Sequence, residues 1–246
     1  VAVVVMNNPE NGRYTLFSIG SILFQRVSLC RAFALAVLST LFVPCASLAD
    51  SDDSRALLVE ELTALGSLST DVRQLVMASS GSVLEESQIR FYLKRPDGFY
   101  WETLSPYPEL IVTDGTTLWN FQPDLFQVTI DDWDASQSEL AAQLLSGQGA
   151  QALAEYEVTH QAIQSGGTEY YLDPLDPASL YEEVTLFFDQ QGLASLLLVS
   201  TNGQRTFWEF SNREFNTTIA DSQFQFSVPD DEMLDVLDRR SATQAN

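Results

Sequence analysis

From Leu68 onward the hydrophobic period of this chain is two, and that alternation constrains its fold more than any other feature. Phe91 and Leu93, then Phe99 and Trp101, alternate with Tyr92, Lys94, Tyr100 and Glu102. Such a pattern buries one face of a strand and wets the other. Further runs of the same kind are Glu109–Thr113, Thr117–Phe121, Gln127–Ile130, Tyr156–Gln164, Glu169–Leu172, Glu183–Asp189, Ala194–Ser200, Thr206–Ser211 and Gln223–Val228. Turn signals separate them, among them Pro96-Asp97-Gly98, Asp114-Gly115, Ser165-Gly166-Gly167 and Asn202-Gly203. Short strands joined by tight turns predict an antiparallel meander, because parallel neighbours need a crossover of a dozen or more residues.

Two helical segments interrupt the strands. The first carries Leu57, Leu58, Leu62 and Leu65 at helical spacing, with Ser54 as the expected cap and Gly66 as the stop. The second falls inside the meander. Ser136-Gln137-Ser138-Glu139 has the form of a capping box, Leu140, Leu144 and Leu145 follow on one face, and a short helix over roughly Ala150–Glu155 comes next. The tail from Asp230 to Asn246 is acidic, then polar, and is expected to be loosely held.

Ahead of all this, Ala32–Val43 is a run of twelve uncharged residues preceded by Arg26 and Arg31 and followed by Ser47-Leu48-Ala49. That is the pattern of a secretory signal peptide cut before Asp50, over residues 1–49, and a start near Val27 would give it an ordinary length. The run is shorter than the about 20 residues of a spanning helix. The expected product is one exported domain, residues 50–246. Of the 12 basic and 34 acidic residues, Arg13, Arg26, Arg31 and Glu10 lie in the leader, so the exported part has 9 and 33 and a net charge of −24. That sign argues against nucleic-acid binding, which is built from clustered Lys and Arg. Both cysteines, Cys30 and Cys45, also lie in the leader, which removes disulfide and thiolate chemistry from the exported part. Pro44 before Cys45 makes a poor lipidation site.

Little here points to catalysis or a cofactor. His160 is the single histidine and is read as an edge-strand imidazole rather than a metal ligand. No Gly-x-Ser-x-Gly elbow or Ser-Lys signature is present. Asp131, Asp132 and Asp134 lack the glycine and closing glutamate of a calcium loop, so no metal is expected. A twisted meander can instead curl around an interior, and leucine-faced helices can cover its mouth. Composition alone favours helices that plug a filled core over helices that cover a hollow.

The segment Lys94-Arg95-Pro96-Asp97-Gly98-Phe99-Tyr100-Trp101, followed by Ser105-Pro106, Leu110-Ile111-Val112-Thr113-Asp114-Gly115, Leu118-Trp119 and Gln127-Val128, resembles the outer-membrane lipoprotein carrier family (LolA), the periplasmic lipoprotein chaperones. The chain departs from that pattern at Ser87 and Ile89, where the family has glycines, at Ser138-Glu139 in place of Thr-Pro, and at Val72 in place of an aromatic. The resemblance implies a mainly β, α+β fold: an unclosed antiparallel β-barrel with an N-terminal helix and short lid helices over an apolar cavity. It implies a periplasmic, non-enzymatic, cofactor-free carrier, expected as a monomer. Its partners would be triacylated lipoproteins, an inner-membrane ABC transporter (LolCDE-like) and an outer-membrane receptor (LolB-like). The alternatives are that receptor itself, or a periplasmic lipid-sensing module on the same half-barrel.

The same resemblance makes Arg95 the expected lid gate, a planar fork of donors suited to carbonyls at helix C-termini. Otherwise Arg95 pairs with Asp97 or another acid. Phe91, Leu93, Phe99, Trp101, Trp119 and Phe121 are the expected acyl-chain cavity, with Leu140, Leu144 and Leu145 on the lid. For each of these, cavity wall and packed core are indistinguishable in sequence.

Overall fold

The computed structural model describes residues 51–134, 140–145, 148–164, 166–230 and 232–241. The chain divides into residues 1–46, all outside that set, and one compact unit over 47–246. The signal-peptide segment with its cleavage site, and the capping box at Ser136–Glu139, therefore lie outside the described residues.

The strands are β1 (Ser67–Met77), β2 (Val83–Lys94), β3 (Gly98–Ser105), β4 (Glu109–Thr113), β5 (Thr117–Gln122) and β6 (Gln127–Asp132). The helices α1 (Ser51–Ala64), α2 (Leu140–Leu145) and α3 (Gly149–Ala152) precede and follow them. After these come β7 (Tyr156–Ala162), β8 (Thr168–Pro174), β9 (Tyr181–Asp189), β10 (Gly192–Ser200), β11 (Arg205–Phe215) and β12 (Asp235–Asp238). They form a single sheet in the order β12-β6-β5-β4-β3-β2-β1-β11-β10-β9-β8-β7, whose two edges do not meet. Every pair is antiparallel except β12 on β6.

This order gives α2 and α3 their place. β1 sits mid-sheet, β2 to β6 run outward from one side of it, and β11 back to β7 run outward from the other. The chain leaving β6 must cross the sheet to begin β7, and α2 and α3 lie on that crossing. A simple meander would have no such bridge.

Curvature is visible in the rings. Trp101 on β3 and Trp208 on β11 have centroids 4.7 Å apart. β2 and β1 lie between them, so three strand spacings of about 4.8 Å separate them on a flat sheet. Only a curled sheet brings them together.

The main core fills the concave side. It joins Leu68, Val72, Ile89, Phe91 and Leu93 to Leu186, Leu196 and Phe210, and covers them with Leu58 and Leu62 of α1, Leu65 just past its end, and Leu140, Ala141, Leu144 and Leu145 of α2. Gly149 marks where the helices meet: a Cβ there would stand 2.9 Å from Leu144 O and 3.3 Å from Leu62 Cδ1. No helix among the described residues is long and apolar enough to cross a membrane.

Four details differ from the sequence reading. Ser54 is inside α1 rather than its cap; it is buried, and its Oγ lies 2.9 Å from His160 Nδ1 on edge strand β7. Ser54, Leu58, Leu62 and Leu65 share one face at steps of four, four and three, which leaves Leu57 42% exposed. The run Gln223–Val228 is not a strand; a 3-10 turn at Asp221–Phe224 leads into it. Its alternation is real, because Phe224 is buried and Phe226 lies 5.6 Å from Phe121, but period two reports a buried side and not a paired backbone. Finally, the tail is held over Asp235–Arg239. β12 adds to the exposed edge of β6, Asp235 N donating to Phe126 O at 2.7 Å and Arg239 N to Ile130 O at 2.8 Å.

Candidate functional site

A cavity of about 590 Å³ opens between the concave face and α2. Its apolar wall comes from Phe99 and Trp101 of β3, Ile111 of β4, Leu118 of β5, Trp208 of β11, and Ala142 and Leu145 of α2. Register explains the grouping. Trp101 pairs with Ile111 across β3 and β4, and residues directly opposite on a ladder point to the same face. The cavity also carries polar groups: Gln74, Glu85, Ser87, Thr103, Tyr107 and Glu109. Ser87 Oγ donates to Glu85 Oε1 at 2.9 Å, and Glu109 Oε1 accepts from Asn120 Nδ2 at 3.0 Å and Gln122 Nε2 at 2.9 Å. Among the described residues, no Lys or Arg lines it.

The expected cavity residues divide three ways. Phe99 and Trp101 are on its wall. Phe91 and Leu93 are on the concave face but fully buried, and Phe91 supports the wall from beneath, its ring 5.4 Å from Phe99 and 5.8 Å from Trp101. Trp119 and Phe121 are on the other face of the sheet, which corrects their assignment. Leu118 faces the cavity, so its neighbour Trp119 points away. Trp119 pairs with buried Val112 and Ile130, and Phe121 with buried Val128. Phe226, from the C-terminal segment, joins Phe121 on this outer face, and Phe224 is buried beside Gly98 at the start of β3. Lys94 fastens the segment by donating to Ile219 O at 2.9 Å and pairing with Asp221.

On α2, Leu145 faces the cavity and Leu144 is fully buried in the core. Leu140 borders a second depression of about 490 Å³, shared with Tyr156, Leu180 and Tyr181. Sequence reading missed Ile111, Leu118, Trp133 and Trp208. The signal was cross-strand register, of Ile111 with Trp101 and of Leu118 through Thr113 with Phe99, which an unpaired sequence does not display. Leu118 and Trp119 are both apolar, so alternation gives β5 no inward direction.

Arg95 sits at the C-terminus of α1. Its Nε donates to Leu65 O at 2.7 Å, and one terminal nitrogen donates to Leu62 O at 2.7 Å and to Leu145 O of α2 at 3.4 Å. These are the last carbonyls of two helices, where partial negative charge collects and intrahelical donors run out. No ion pair among the described residues uses Arg95. Burial accordingly lowers the guanidinium from its ordinary value, with no carboxylate to raise it.

No set of three or more metal-ligating side chains converges among the described residues. Asp132, part of the acidic run, accepts the Ser241 N–H at 2.7 Å.

Comparison with known proteins agrees with this geometry. The family model described as "Outer membrane lipoprotein carrier protein LolA" matches residues 63–227. A protein of Chromohalobacter salexigens named outer-membrane lipoprotein carrier protein is 33% identical over 204 residues, 81% of this chain and 95% of the relative. A protein of the same name from Pseudomonas aeruginosa is 32% identical over 205 residues, 79% of this chain and 96% of its own. Among solved structures, an uncharacterized conserved protein from Thermus thermophilus superposes with a TM-score of 0.50 at 14% identity, covering 77% of this chain and all of that one. That likeness extends to the fold.

Proposed function

This chain belongs to the outer-membrane lipoprotein carrier family, LolA, and from that premise we propose that it is a periplasmic chaperone that binds the acyl chains of lipoproteins released by an inner-membrane ABC transporter and hands them to an outer-membrane receptor. The family is one of carriers, and the reading assigns the chain no reaction to catalyse.

The observation that carries the reading is the aromatic and aliphatic cavity beneath α2. A chain of about 15 methylenes in water costs about 12 kcal/mol at roughly 0.8 kcal/mol each, so a free lipoprotein does not cross an aqueous compartment unaided. At roughly 30 Å³ per methylene, the volume of a water molecule, 590 Å³ holds about 20 of them. One acyl chain fits with α2 seated. A triacylated cargo needs α2 displaced, and its leucines then exchange contact with the sheet for contact with lipid. Burial is conserved through the exchange, which keeps the opening step small.

In this reading Arg95 is the gate. It binds the C-terminus of α1 firmly and reaches α2 by one long hydrogen bond, so α2 can leave while α1 stays. Phe99, Trp101 and Leu145 are the surfaces that meet lipid. The many acidic residues keep the carrier off anionic membrane surfaces during transit, and basic surfaces on transporter and receptor would be the complements.

The test is mass spectrometry of the protein purified from periplasm. Co-purification of triacylated lipoproteins in stoichiometric amount is expected. Recovery without any acylated protein, or with a free glycolipid instead, would overturn the assignment.

A further inference from the structure

Two of the indoles lining the cavity differ in one respect. Trp208 donates its Nε1–H to Gln74 Oε1 at 2.7 Å. Trp133 Nε1, by contrast, is buried with no acceptor among the described residues. An unmet buried donor costs about 1–3 kcal/mol, and native interiors rarely leave one unless something absent from the protein completes it. The position of Trp133 is set by the sheet: it follows β6 directly, and its backbone N–H donates to Thr116 O at 2.9 Å, extending the β5–β6 ladder.

The proposed ligand needs such a group. Methylenes make no hydrogen bonds, but an acyl chain is attached to its cargo through an ester or amide carbonyl, which accepts and cannot donate. The carboxylates of Glu85 and Glu109, also acceptors, cannot serve it. A carbonyl entering the cavity leaves its water behind, and meeting an unpaired N–H removes both desolvation penalties at once.

We propose that the Trp133 indole N–H is the polar anchor for the carbonyl at the head of a bound acyl chain. The inference rests on the carrier reading and deepens it: the cavity would select chains bearing a carbonyl linkage over hydrocarbon of equal length, and would fix how far each chain enters.

The test uses protein carrying a nitrogen-15 label in its indoles. The four tryptophans give four indole N–H resonances, and Trp133→Phe identifies the relevant one by its disappearance. The probes are a dipalmitoylglyceryl-cysteinyl peptide and the same peptide with ether-linked hexadecyl chains. The ester lipid is expected to move the Trp133 resonance downfield, and Trp133→Phe to weaken its binding about 2- to 10-fold more than it weakens binding of the ether lipid, whose oxygens are poorer acceptors. Without lipid, the variant should melt no lower than wild type, because phenylalanine removes an unpaired donor. Equal weakening for both lipids, or an unmoved Trp133 resonance in the ester complex, overturns the anchor and leaves the carrier reading standing. Failure of the wild-type protein to bind either lipid overturns both.

Discussion

Replacing Arg95 with leucine deletes a donor to three backbone carbonyls, and the structure sets the size of the loss. The two contacts with α1 are 2.7 Å long and made by a charged donor, a class worth about 1.5–3 kcal/mol each. The contact with Leu145 O, at 3.4 Å, is near the geometric limit and contributes least. Two terms reduce the total: Leu62 O keeps a second donor in Leu65 N at 3.3 Å, and the leucine variant no longer desolvates a guanidinium. A net loss of about 2–4 kcal/mol remains, and at about 2–4 °C per kcal/mol for a domain of this size the melting midpoint falls by roughly 5–15 °C. Arg95→Lys places one point charge where a fork stood, so it should recover about half of that loss. The assay pairs thermal unfolding by circular dichroism with transfer of a radiolabelled lipoprotein to outer membranes, run well below the variant's midpoint. A lowered midpoint with impaired transfer is expected for Arg95→Leu. A wild-type midpoint would refute the helix-capping geometry. A lowered midpoint with wild-type transfer would refute the gate and reduce Arg95 to an anchor of α1.

The two faces of the sheet should respond differently: Phe99→Glu puts a charge on the cavity wall and should abolish cargo binding, whereas Phe121→Ala should bind cargo normally and lose about 1–2 kcal/mol through the outer cluster, both read by lipoprotein pull-down and thermal melts. Asp189 is held below its ordinary carboxylate range, first by the hydrogen bond from Arg213, against the opposing cost of burial, and then by the Gln191 N–H. A depressed carboxylate pKa stabilises the folded state above the unfolded-state value, near pH 4, and loses that contribution as the pH falls through the folded one, so melting midpoints should drop less steeply below about pH 4 in Asp189→Asn than in wild type. Gly167, in the β7–β8 turn, has φ +113°, and a Cβ there would collide with Phe188 O; Gly167→Ala should destabilise by at least about 1–3 kcal/mol, measured by chemical denaturation.

Most strands were legible because alternation, turn dipeptides and strand length agree with one another over residues 67–132 and 156–215. Arg95 was legible as a gate candidate through its place in the Arg-Pro…Phe-x-Trp pattern, and its chemistry fits the carbonyls it meets. The failures have one origin. Trp119 and Phe121 alternate as cleanly as Phe99 and Trp101, but on a strand apolar on both faces, and on the outer face Phe121 meets Phe226 from a segment a hundred residues away. The paired tail was invisible for a related reason: β12 joins the sheet through backbone groups and leaves its side chains largely exposed, so its composition carries no trace of the pairing.

The local pattern by itself determined that this chain forms short antiparallel strands with leucine-faced helices at two places, because period and turn chemistry act over a few residues. Tertiary structure alone decided which face of each strand turns inward, that the β6-to-β7 connection must span the sheet and so roof it, and that one indole N–H beneath that roof has no partner among the described residues. Those outcomes depend on register and curvature, which bring together side chains far apart in the chain, such as Trp101 and Trp208, and no window of sequence contains both.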